Sequence, residues 1–265
     1  MWAHVSTFSV PKRGSAPSEC EDAAWVSPSG DRVGDVNELS LRVVVADGAS
    51  ESMLAGKWAR WLTVNFGATG AATRSKPGFL AAYRAATEQW AFEVERYVEE
   101  RDQRGTPIQW YEEPGLAKGA FSTVIVLDVS RDDEGQGSWR AAALGDSCVF
   151  HVRGDAVRLS FPLEDAAAFS NQPPLLPSRA ADEELVRRNI SLRRADWRPG
   201  DTFYVVTDAL AAWFLRASAA DQRPWEPLRD LDTADAPDFS TWVGLKRDEG
   251  ELRDDDTTLV RIDLY

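Results

Sequence analysis

Acidic residues stand at five separated points of this chain: Glu21 with Asp22, Asp47, Asp146, Asp208, and the run Asp254, Asp255, Asp256. Each lies against an apolar stretch. Asp47 ends Val43-Val44-Val45-Ala46, Asp208 follows Tyr204-Val205-Val206-Thr207, and Asp146 occupies the short link Gly145-Asp146-Ser147 between two apolar segments. β-Branched runs suit a pleated interior. A carboxylate at the end of such a run is costly unless a counter-charge or a metal accepts it. Gathered at one sheet edge, these groups would form an oxygen-only cluster, the donor set of hard cations such as Mg2+ or Mn2+. Taken singly they have plainer readings: Asp208 as a helix N-cap, and residues 254–256 as a solvated loop.

Other chemistries have fewer residues to use. A Ser-His-Asp or Cys-His mechanism would need His4 or His151, the two histidines present, and both fall in strand-like segments. Cys20 and Cys148 are too few for a disulfide framework and lack zinc-site spacing. The net charge of −13 argues against nucleic acid as a partner. The most basic stretch, residues 187–198, is interrupted by Asp196 and reads as a solvated face. No secretory pattern opens the chain. The longest apolar run, residues 209–215, falls well short of the roughly 20 residues a membrane span needs. A cytoplasmic location with no membrane partner is expected.

Positioning the acids requires a scaffold. With 265 residues, 43% hydrophobic, the chain suits one domain over residues 1–265. Strands are expected at 3–10, 23–26, 41–46, 121–129, 138–144, 148–153, 154–160, 190–197, 201–208 and 257–264. Helices are expected at 52–65, 77–101, 209–219 and within 239–246, and loops at 105–119 and 162–177. Phe79, Tyr83, Ala86, Trp90, Val94 and Tyr97 recur at helical spacing and are expected to face the core. Grouped strands with inserted helices favour α+β with antiparallel sheets over alternating βαβ units.

In this order the segments CEDAAWV, VVVADGAS, AAALGDSCVFHVRGDAVRLS, RPGDTFYVVTDAL and DDDTTLVRIDL resemble the metal-dependent serine/threonine phosphatases of the protein phosphatase 2C family, in a divergent bacterial-type branch. The resemblance implies a sandwich of two antiparallel β-sheets flanked by α-helices. It implies two divalent cations, Mn2+ or Mg2+, with Asp47 bridging both, Gly48 lending a carbonyl, and Asp208 and Asp255 completing the ligands. Glu21 and Asp22 match the pair that holds metal-bound waters, and Asp146 matches a ligand of a third metal. Two such ions about 3.5–4 Å apart share and activate a water, so no side chain is needed as nucleophile. The implied substrate is a phosphoserine or phosphothreonine protein, paired with a kinase system.

Three departures accompany the resemblance. Pro17 stands where many members carry a phosphate-binding Arg, leaving Lys12 or Arg13 as substitutes; Ser50 replaces a second glycine; Ala209 follows Asp208 in place of glycine. Three rival readings exist. Residues 254–258 spell the D-x-D-x-T of haloacid dehalogenase-type phosphatases, yet follow a polar segment near the end of the sequence rather than an early apolar strand. A second reading is a degenerate domain that binds a phosphoprotein without hydrolysing it. A third is a structural domain whose acids serve only as caps and turns.

Overall fold

The computed structural model describes residues 1–27, 34–170, 172–179, 182–232 and 238–265. The strands are β1 (Trp2–Val10), β2 (Asp22–Val26), β3 (Gly34–Asn37), β4 (Ser40–Asp47), β5 (Phe121–Ser122), β6 (Val124–Arg131), β7 (Gly137–Leu144), β8 (Cys148–Arg153), β9 (Ala156–Phe161), β10 (Leu176–Pro177), β11 (Ser191–Trp197), β12 (Asp201–Val206) and β13 (Thr257–Leu264). The helices are α1 (Ala55–Ala68), α2 (Lys76–Gln103), α3 (Glu113–Lys118), α4 (Glu183–Asn189), α5 (Asp208–Ala219), α6 (Trp225–Arg229) and α7 (Phe239–Asp248).

One sheet has the order β3-β1-β13-β12-β8-β9 and the other β11-β7-β6-β4-β2, with antiparallel pairing throughout. Strand alternation explains the layers. Val43 and Val45 of β4 meet Phe203, Val260 and Ile262 across the gap between the sheets. Val44 and Ala46 point the other way, against Trp58, Leu62 and Phe66 of α1 and Phe79 of α2. The outer face of the first sheet, with Phe150, Tyr204 and Leu259, is covered by Phe214 of α5 and Trp242 of α7. The order is helices, sheet, sheet, helices. Central strands buried on both faces read as unbroken apolar runs rather than alternating ones.

Local chemistry sets the helix ends. The Ser75 hydroxyl accepts from the Gly78 N–H at 3.1 Å, with Pro77 in the first turn, so α2 starts there. Phe79, Tyr83, Ala86 and Trp90 are buried as their spacing predicts. Tyr97 instead receives Lys57 over its ring, 5.4 Å from the centroid. Helix α1 begins at Ala55, not at 52, because Leu54 takes a left-handed conformation, φ 66°.

Residues 105–119 are not loop throughout, since α3 forms within them. The expected strand 121–129 breaks at Thr123, whose N–H turns to the Asp47 carbonyl at 2.8 Å. Residues 162–177 include β10, which pairs with β5; Asn171 in that stretch lies outside the described residues. Among the described residues no helix is long and apolar enough to cross a membrane.

Candidate metal centre

The sandwich is open at one end, and the acids collect there. Continuing the alternation of Val43 and Val45, Asp47 emerges on the face between the sheets. Asp22 lies directly opposite it in the β2–β4 register. Facing like charges on paired strands is destabilising, so this pairing has no structural rationale of its own. Asp22 is buried: one oxygen accepts the Thr207 hydroxyl at 2.9 Å, and Oδ1 has no partner. Thr207, not Asp208, is the N-cap of α5; Asp208 is the first helical residue, where the helix dipole favours a carboxylate. Thr207 also accepts the Thr258 N–H at 2.9 Å, tying β12 to β13 beneath the acids.

Asp146 is brought in by a tight link. Gly145 has φ +113°, and a Cβ there would meet Thr123 at 2.5 Å. Thr123 and Ser147 share a hydroxyl hydrogen bond of 2.9 Å, which fixes the link against the end of β4. Gly48 follows the same logic: a Cβ would lie 2.7 Å from the Ala55 carbonyl carbon and 2.9 Å from the Glu21 oxygen. That glycine is demanded by the close approach of α1, whatever its carbonyl does.

Asp47, Gly48, Asp146, Asp208, Arg253 and Asp255 line one cleft of about 550 Å³. Burial, then the charges of Asp22 and Asp208, push the Asp47 carboxyl well above the usual range. Asp22 is raised foremost by burial, with Asp256 and Asp208 adding to it. Asp146 is raised to about 7 by burial and Asp208. Asp208 is raised by burial against the opposing pull of Arg253.

Arg253 is the site residue that the sequence pattern does not single out. Its guanidinium pairs with Asp208 and, at 2.9 Å, with Asp255. Among the described residues no three acidic, His or Cys side chains close on a common point with metal-holding geometry; the guanidinium stands between two that would have to. The donor set nonetheless fits a hard cation: carboxylates gathered in one cleft, and one buried oxygen of Asp22 without a partner. Arg253 must turn away for a cation to take its place.

The expected phosphate-binding substitutes are engaged elsewhere. The Lys12 ammonium donates to Glu21 at 2.9 Å and to Ser50 at 3.0 Å, and the Ser50 hydroxyl donates to Glu21 in turn. Ser50, a departure in the sequence, thus helps hold Glu21. Arg13 pairs with Asp248 on α7. The cations lining the cleft, among the described residues, are Lys118 and Arg253. Asp256 acts structurally, because its oxygens accept the Lys12 and Glu21 backbone N–H groups, both at 2.7 Å. Cys148 packs under α5, while His151, three residues on, stacks on Phe203 between the sheets.

No family model matches the chain, and no curated protein matches it. Solved structures do. A serine/threonine phosphatase of S. agalactiae superposes with a TM-score of 0.58 at 13% identity, covering 99% of this chain and all of that one. The Mycobacterium tuberculosis serine/threonine phosphatase PstP gives 0.56 at 14% identity, covering 100% and 99%. The fold is that of the phosphatase 2C type. A further structure with this fold, the PstP catalytic domain in complex with 2 manganese ions, gives 0.53 at 13% identity over 99% of each chain. The resemblance read from five short segments thus extends to the whole phosphatase 2C-type sandwich.

Proposed function

We propose that residues 1–265 form a single metal-dependent phosphoprotein phosphatase unit, acting in the cytoplasm on phosphoserine or phosphothreonine. The observation that carries this reading is the convergence of Asp47, Asp146, Asp208 and Asp255, from four separate segments, in one cleft at the open end of the sandwich. The manganese ions named for the PstP structure support the choice of cofactor. In this reading Asp47, the Gly48 carbonyl, Asp208 and Asp255 hold two divalent cations, Mn2+ or Mg2+, and Asp146 offers a third position. When bound, the cations supply a water of lowered pKa and a clamp for the phosphate.

The chain's own residues do the rest. Asp22, backed by Thr207, and Glu21, held by Lys12 and Ser50, orient waters beside Asp47. The connection of β1 to β2 keeps that pair in place through Asp256. Arg253, once Asp208 and Asp255 are engaged, is free to grip the substrate phosphate with its planar fork, replacing the Arg absent at position 17. Binding of a phosphoprotein without turnover is the second reading, favoured by the same Arg253 bridge if it never opens. Phosphate release from a panel of phosphothreonine and phosphoserine peptides separates the two. Release with Mn2+ that stops on chelation supports the enzyme; tight peptide binding with no release supports the binder.

A further inference from the structure

The basic stretch 187–198 is solvent-exposed at Arg187, Arg188, Arg193, Arg194 and Arg198, as a solvated face would be. Strand β11 forms the edge of its sheet, and Arg194 lies directly opposite Arg140 of β7. Like charges in register destabilise a strand pair. On its other side Arg140 faces Asp128 of β6, a natural partner. That carboxylate is already taken: Arg42 grips both oxygens, at 2.6 and 2.8 Å, and the Thr73 hydroxyl donates to it as well. Arg74, from the link between α1 and α2, joins Arg140 and Arg194 around a cleft of about 430 Å³, and Arg193 borders it from β11, where it alternates with Arg194. The remaining lining is Thr73 and Leu192, with no carboxylate. Among the described residues none of the four arginines has an ion-pair partner. In a chain of net charge −13, three guanidiniums without ion-pair partners around one hollow, those of Arg74, Arg140 and Arg194, are a departure that folding does not explain. Arg140 is the fourth of the eight residues of β7, and this cleft shares no lining residue with the acidic one.

We propose that this cleft binds a small polyanion of linked phosphate groups, of the size of a diphosphate. Guanidinium forks match phosphate oxygens two at a time. Several guanidiniums border one groove, and the lining has no aromatic ring to stack on a base, so linked phosphate groups rather than a nucleoside are what it recognises. The probe is inorganic pyrophosphate, titrated calorimetrically into the metal-free protein at fixed ionic strength. The expected result is one site per chain, weakened at least ten-fold in Arg140→Gln/Arg194→Gln and unchanged in Arg253→Gln. Without ligand, the double variant should melt at the same temperature as wild type or higher, because a like-charge pair is gone. Arg74→Gln, at an exposed position, should also weaken binding. No binding by wild type, equal binding by the Arg140/Arg194 variant or by Arg74→Gln, loss of binding in Arg253→Gln, or a lowered melting temperature in the Arg140/Arg194 variant would each overturn the proposal.

Discussion

Arg253 decides how the carboxylates behave before a cation arrives, because it is the positive charge held between Asp208 and Asp255. Removing it should leave two carboxylates unpaired and open. Arg253→Gln is therefore expected to bind Mn2+ about ten-fold more tightly, a change of about 1.4 kcal/mol, read by calorimetry. The same variant should raise KM for a phosphothreonine peptide, since it loses the fork that holds phosphate. Unchanged Mn2+ affinity would remove the competition argument. Cys148 gives the contrasting expectation. Burial pushes its thiol far above the usual range, and His151 points to the other face of β8, so no base can activate it. Cys148→Ala should keep full metal-dependent turnover in a phosphate-release assay. The acids were legible in the sequence because each ends or adjoins an apolar run. Arg253 was not: it sits in the polar stretch Glu251-Leu252-Arg253-Asp254, and only the fold brings it to Asp208.

At the scale of elements, Asp256 is the pin of the site. It ties the segment between β1 and β2 to the start of β13 through two charge-assisted hydrogen bonds. Asp256→Ala should lower stability by about 3 kcal/mol, measured as a shift in the urea midpoint. A shift below about 1 kcal/mol would mean that the segment is held by other contacts. The central strands and α2 were legible because burial on two faces, or on one helical stripe, writes a long apolar pattern. Helices α3, α4 and α6 and strands β3, β5 and β10 span two to seven residues each. Such pieces are too short to show a period, and contacts distant in sequence fix them. The Ser122 hydroxyl, bonded to the Asp47 carbonyl at 2.8 Å, is one of these.

For the whole molecule, the acids are a source of strain that depends on pH and metal. Asp22, Asp47 and Asp146 all take up protons more readily folded than in the unfolded chain, where an aspartate titrates near 3.9. Between about pH 4 and the folded value, about 7 for Asp146, the folded metal-free protein holds protons that the unfolded chain has lost. Its stability should therefore fall as pH rises through that window. The melting temperature of the metal-free protein is expected to drop from pH 5 to pH 8, with a shallower drop in Asp47→Ala. Adding Mn2+ at 100 times its dissociation constant should restore about 2.7 kcal/mol, on the order of 5 °C. Asp47→Ala should lose most of that rise. Equal metal shifts in the two proteins would place the cations elsewhere.

The most direct measurement is the initial rate of phosphate release from a phosphothreonine peptide, with Mn2+ and with chelator, for wild type and Asp208→Asn side by side. Asp208→Asn keeps the shape of the side chain but removes a charged ligand. The account predicts release by wild type only when Mn2+ is present, and a rate lower by at least two orders of magnitude in Asp208→Asn. Equal rates in the two proteins, or a wild-type rate indifferent to chelator, would contradict it.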